Sequence, residues 1–179
     1  MKKTLFAAAA AALIATPALA ALPVGANAPN FTAPASLGGK AFNFTLASAL
    51  KKGPVVLYFF PAAFTTGCTI EAHDFAAASD DYKKLGATLI GVTAGNTERL
   101  AEFSTSECAS KFPVAADADL SIAKSYDATL AMFPGHSSRT SYVIAPNDKV
   151  IFVYSNLDPS QHVEETLEAL KAWRAAHPD

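Results

Sequence analysis

The chain has 179 residues, 51% of them hydrophobic, with 14 basic and 16 acidic side chains and a formal net charge of −2. A slightly acidic balance with no basic run makes nucleic acid and anionic membrane surfaces poor partners. Two cysteines are too few for a disulfide-stapled mini-fold, so a hydrophobic core must carry stability.

The first twenty residues, "MKKTLFAAAAAALIATPALA", read as a secretory signal: two lysines, a short apolar stretch and the small-x-small end Ala18-Leu19-Ala20. The apolar stretch is too short for a membrane anchor, and Pro17 interrupts it. The expectation is an exported, periplasmic protein cleaved after Ala20, not inserted in the membrane, with residues 21–179 as a single domain. Loss of Lys2 and Lys3 leaves 12 basic against 16 acidic residues.

Residues 30–45 predict two short strands around Gly38-Gly39, a hairpin. "PVVLYFF" (54–60) is a continuous apolar run closed by Pro61, which predicts a buried central strand. A helix is expected over about 67–84, with Ile70, Phe75 and Tyr82 on or near its inner face and Gly86 after its end. "ATLIGVT" (87–93) predicts a second buried strand. "NTERLAEFSTSECASKF" (96–112) predicts a helix with Leu100 and Phe103 in its buried stripe and Cys108 at the flank of that stripe. "FPVAAD" predicts a short strand and "DLSIAKSY" a short helix. "TSYVIA" (140–145) and "KVIFVYS" (149–155) flank a Pro146-Asn147-Asp148 turn. Asp158-Pro159 opens a last helix through Val163, Leu167, Leu170 and Trp173. Strand and helix alternate and then give way to a hairpin and helix. That order predicts an α/β protein with a central mixed sheet flanked by helices, the thioredoxin-like plan, preceded by an N-terminal hairpin.

Composition leaves two readings of the cysteines open, a structural Cys68–Cys108 disulfide or a working nucleophile. Cys68 falls just past the central strand, in the first turn of the next helix, where free N–H groups and the helix dipole favour a thiolate. Thr65 can aim its hydroxyl into the same pocket, and Pro61 stiffens the strand exit. Glu71, one turn on, would by itself oppose a thiolate, so the site needs a cation. Arg99, Arg139 and Arg174 are the candidates. Arg139 stands at the entrance of a strand, whereas Arg99 and Arg174 lie on helix faces and read as solvated.

Pro61-x-x-x-Thr65-x-x-Cys68, followed by Thr69 and Glu71, resembles the peroxidatic motif of the peroxiredoxins. "RTSYVIAPNDKV" from Arg139, the opening "GANAPNFTAP" and "FPVAAD" also resemble segments of that family, so the likeness spans about residues 23–173. "FFP…TTGCTIEAHDF" is most similar to the bacterioferritin-comigratory, or Q-type, subfamily. The resemblance implies a peroxidase that reduces hydrogen peroxide or organic hydroperoxides. Cys68 would attack the peroxide and become a sulfenic acid. Thr65, Arg139 and the N–H groups of Gly67 and Cys68 would hold the peroxide oxygens. Pro61 would shield the thiolate, and Glu71 would orient Thr65 or Arg139. No metal or cofactor is implied; the reductant would be thioredoxin-like or another thiol, and the protein a monomer.

Two positions depart from the subfamily. His73 stands where some members carry a second cysteine. The resemblance then makes Cys108 the resolving cysteine, forming an intramolecular Cys68–Cys108 disulfide as the first turn around Cys68 unwinds. Thr66 replaces a customary proline. A thiol–disulfide oxidoreductase of the same fold would need Cys-x-x-Cys, and position 71 is Glu. A copper-delivering relative would need a cysteine at position 72, which is Ala. His73, His136, His162 and His177 show no metal-ligand spacing.

Overall fold

A computed structural model describes residues 21–178; the expected signal segment, 1–20, lies outside the described residues. The described residues form seven strands: β1 Thr32–Leu37, β2 Lys40–Thr45, β3 Val55–Phe59, β4 Thr88–Thr93, β5 Val114–Ala116, β6 Thr140–Ile144 and β7 Val150–Ser155. They make one mixed sheet in the order β2-β1-β5-β4-β3-β6-β7. The helices are α1 Leu46–Leu50, α2 Thr66–Lys84, α3 Leu100–Ser106, α4 Ser121–Ser125 and α5 His162–Ala176.

β3 is the spine. Its five residues are all buried, paired in parallel with β4 and antiparallel with β6. Successive side chains of a strand point to opposite faces. Val55, Leu57 and Phe59 therefore enter one core cluster, with α1 and α4, while Val56, Tyr58 and Phe60 enter the other, with α2, α3 and α5. Such two-sided coverage is why residues 54–60 read as an unbroken apolar run. In the second cluster Tyr58 stacks on Phe75 at 4.3 Å and on Phe60 at 5.4 Å.

The hairpin forms with Leu37 opposite Lys40 across Gly38-Gly39. Asp158 caps the entry to α5, its carboxylate accepting from the Ser160 N–H at 3.0 Å. Three readings need correction. The helix expected over 96–112 is a 3-10 turn at Thr97–Arg99 followed by α3, which stops at Ser106 because Ala109 and Ser110 take φ of 48° and 57°. Ile70 points outward, 46% exposed, and α2 is anchored by Phe75 and Tyr82 instead. Arg174 is half-buried: its Nε donates to the Leu85 carbonyl at 2.7 Å, satisfying the C-terminal end of α2. Arg99 reaches Glu102 through paired bonds near 3.0 Å and lies 3.8 Å over the Phe64 ring. No helix among the described residues is long and apolar enough to cross a membrane.

Gly91 on β4 lies under the Tyr58 ring, where an added Cβ would come within 2.8 Å of the ring. Gly91→Ala is therefore expected to lower unfolding stability by about 1–3 kcal/mol, measured by urea denaturation.

Candidate functional site

The site is built where β3 ends. The loop Phe60–Thr65 is clamped from β4 and its exit: the Thr93 hydroxyl donates to the Pro61 carbonyl at 3.2 Å, and Asn96 Nδ2 to the Ala63 carbonyl at 2.7 Å. Phe64 takes φ of 63°, a strained setting for a bulky residue, fixed by Phe103 at 5.2 Å and by Arg99 above. This loop delivers the chain into α2, whose first intrahelical bond runs from the Thr69 N–H to the Thr65 carbonyl at 2.9 Å. The N–H groups of Thr66, Gly67 and Cys68 precede that bond and have no intrahelical acceptor.

Cys68 is the third residue of α2, 1% exposed, with a free thiol. Arg139 reaches it from the residue before β6: Nη2 donates to Cys68 Sγ at 3.5 Å. Nη1 donates to Glu71 Oε2 and Nε to the Leu157 carbonyl at 2.8 Å, so all three guanidinium nitrogens are engaged. Gly67 permits the approach, since a Cβ there would lie 3.0 Å from Nη2. Of the two partners the sequence offered Glu71, the structure selects Arg139. The Thr65 hydroxyl instead donates to the Ala62 carbonyl at 3.1 Å, and Thr65 is exposed at the mouth of the site. Pro61 is half-buried beside it.

Glu71 is wholly buried. Burial pushes its carboxyl up to about 8, against the opposing pull of Arg139. Its Oε1 has no hydrogen-bond partner among the described residues and lies 3.7 Å from His162 Nδ1. His162, equally buried, bonds to the Ser141 hydroxyl at 2.8 Å and to the Asn156 carbonyl at 2.9 Å, and burial pulls it down to about 4. Burial and Arg139 thus act on Glu71 in opposite directions, and the same guanidinium faces the sulfur.

Sequence reasoning missed His162, because only the docking of α5 on β6 buries it. It also missed Tyr58, whose buried hydroxyl has no partner. Cys108 lies in the turn after α3, fully buried in the same core cluster as Cys68, rather than on a helix flank. Burial pushes its thiol up, and the Glu107 charge adds to the effect. Among the described residues no three His, Cys, Asp or Glu side chains gather as metal ligands.

The arrangement sets a buried sulfur against a fixed cation in the first turn of a helix. Residues 24–153 match the AhpC/TSA family. Peroxiredoxin Q, chloroplastic, of Oryza sativa subsp. japonica is 32% identical over 172 residues, covering 88% of this chain and 77% of that protein. The Sedum lineare protein of the same name is 32% identical over 126 residues, covering 70% and 67%. Peroxidoxin BcpB from Mycobacterium tuberculosis superposes with a TM-score of 0.75 at 27% identity, over 84% of this chain and 97% of its own. The reduced 2-Cys peroxiredoxin of Plasmodium vivax shares the fold, with a TM-score of 0.77 at 23% identity over 87% and 99%.

The two buried titrations have opposite signs. Glu71 is raised, so the stability it contributes is full at low pH and is lost as pH rises through about 8. His162 is lowered, so its contribution is full above its ordinary value of 6.5 and is lost as pH falls toward about 4. Between pH 6.5 and 8 the loss from Glu71 is left unopposed. The melting temperature should fall across that window, and Glu71→Gln should flatten the slope in a thermal scan series.

Proposed function

We propose, given that the chain belongs to the AhpC/TSA family and is a thiol-dependent peroxidase, that Cys68 is its peroxidatic cysteine and Cys108 its resolving one. The observation that carries the assignment is the buried contact of Arg139 Nη2 with Cys68 Sγ at a helix N-terminus. A thiolate there attacks one peroxide oxygen, the O–O bond breaks, and the departing hydroxide or alkoxide takes up a proton. Arg139 and the N–H groups of Gly67 and Cys68 stabilise the charge that develops. The Thr65 hydroxyl turns from Ala62 to bond the bound peroxide, and Glu71 holds the guanidinium in place. Pro61 closes one side of the site against bulk water.

The product at Cys68 is a sulfenic acid. The Cys108 sulfur displaces its hydroxyl, forming Cys68–Cys108 and water, and an external dithiol returns both cysteines to thiols. Both sulfurs are free and belong to one core cluster, which supports an intramolecular bridge. The likeness to the Q-type subfamily supports a monomer. The charge and apolar pattern of residues 1–20 supports export to the periplasm, with cleavage after Ala20 and a thioredoxin-like or other thiol reductant outside the cytoplasm. A thiol–disulfide oxidoreductase without peroxidase activity is not favoured, because Glu71 fills the position its second cysteine would need.

Intact-mass spectrometry of the reduced protein before and after one equivalent of hydrogen peroxide tests the scheme. Loss of two hydrogens, with a peptide linking Cys68 to Cys108, is expected. Cys68→Ser should abolish peroxide consumption, and Cys108→Ser should gain one oxygen and form no intramolecular disulfide. Turnover by the first variant would refute the assignment of Cys68.

A further inference from the structure

The turn that carries Cys108 is strained and lashed down in ways the reaction leaves unused. After α3 the chain passes through Ala109 and Ser110, two non-glycine residues in the left-handed region, with φ of 48° and 57°. Inside, the Ser110 N–H donates to the Ser104 carbonyl and the Lys111 N–H to the Cys108 carbonyl, both at 2.9 Å. The tip of the β1–β2 hairpin rests on the turn, where a Cβ on Gly38 would lie 3.3 Å from the Ser110 side chain. Outside, two contacts between partly exposed side chains tie the turn to α2. His73 Nε2 meets Glu107 Oε2 at 2.9 Å, and Lys111 Nζ meets Asp80 Oδ2 at 3.8 Å.

These anchors fix where Cys108 lies along α2. His73 and Asp80 follow Cys68 on the same helix, about 7–8 Å and about 18 Å along its axis at ~1.5 Å per residue. The turn therefore runs away from Cys68, with Glu107 beside His73 and Lys111 beside Asp80. A disulfide needs the two Cα atoms within about 7 Å. A shift of Cys108 toward the start of α2 would draw Glu107, its neighbour in the chain, off His73. The same carboxylate has a second effect, since its charge adds to burial in keeping the Cys108 thiol protonated. While the pair is closed, Cys108 is thus held along α2 as a poorly nucleophilic thiol.

We propose that His73 and Glu107 form a latch that sets the rate of resolution, holding Cys108 on α2 until the Cys68 sulfenic acid has formed and delaying its capture afterwards. They are positioning residues, acting through Cys108 without touching the peroxide. The latch rests on the reading of Cys108 as the resolving cysteine. The step it controls is Cys108–SH plus Cys68–SOH giving the S–S bond and water, so no further oxidant is required. The strained turn favours release once the pair opens. A slow latch also lengthens the exposure of the sulfenic acid to a second peroxide, which carries Cys68 to the sulfinic acid.

The full-length reduced protein is mixed with one equivalent of hydrogen peroxide, quenched in acid at intervals and weighed intact. This separates oxygen gain at Cys68 from loss of two hydrogens in the disulfide. His73→Gln and Glu107→Gln should each speed disulfide formation about three- to fivefold, the reach of a single partly exposed pair. Oxygen gain should stay within about twofold of the parent rate, and excess peroxide should leave less sulfinic acid. The reversed pair, His73→Glu with Glu107→Lys, should restore the slow rate, which a mere loss of packing would not do. A parent disulfide that forms at the same rate in both single variants overturns the latch alone, as does a reversed pair that stays fast. A parent that forms no disulfide and behaves like Cys108→Ser overturns the role of Cys108 and the latch together.

Discussion

One buried guanidinium organises this protein. Arg139 is engaged at all three nitrogens, by the Leu157 carbonyl, by Glu71 and by the sulfur of Cys68. Taking a cation out of water costs several kcal/mol unless geometry and hydrogen bonds offset it. The fold meets that demand from four directions: the residue before β6, the first turns of α2, the loop after β7, and the N-terminus of α5 through His162. The sulfur thus meets a cation already held by the Leu157 carbonyl and by Glu71. Two acidic groups, Glu71 and the thiol, face that single cation. They do so from different nitrogens, Glu71 on Nη1 and the sulfur on Nη2, so each has its own donor.

The sheet explains why those pieces meet. β3 and β6 are antiparallel neighbours, with Phe59 opposite Thr140, so the end of β3 lies beside the start of β6. The chain leaving β3 carries Cys68 into α2, and the chain entering β6 carries Arg139. Seventy-one residues of separation collapse to one hydrogen bond. The hydroxyl of Ser137 reinforces the junction by donating to the Phe60 carbonyl at 2.7 Å.

Much of this was legible in the residues themselves. The apolar run at 54–60 closed by Pro61 located the central strand, and that strand in turn located Cys68 at a helix start. The need for a cation, with only three arginines after the expected signal segment, pointed to Arg139. Helical position could say which face Glu71 occupies but not which partner it meets there, so Thr65 and Arg139 stayed equal until tertiary packing decided. The turn after α3 was misread because nothing in "ECASK" resembles a helix stop: the positive φ angles fall on Ala109 and Ser110, with no glycine or proline to announce them. Arg174 was read as solvated, His162 was weighed only as a metal ligand, and Tyr58 was not singled out from its strand. Their roles come from α5 docking against α2 and β6, and from the pairing of β3 with β4, which periodicity does not encode.

The long reach between Cys68 and Arg139 has a consequence for how the molecule is made. Parallel pairing of β3 with β4 and the packing of α2 involve segments that emerge early in synthesis, whereas β6 comes some fifty residues after β4. Non-local pairings of this kind close late, since the loop entropy must be spent before the contact repays it. A nascent chain thus exposes Cys68 before its cation has arrived. The contact between Cys68 and Arg139 exists only when the second half of the sheet is complete, so it reports the finished fold and not the presence of the motif.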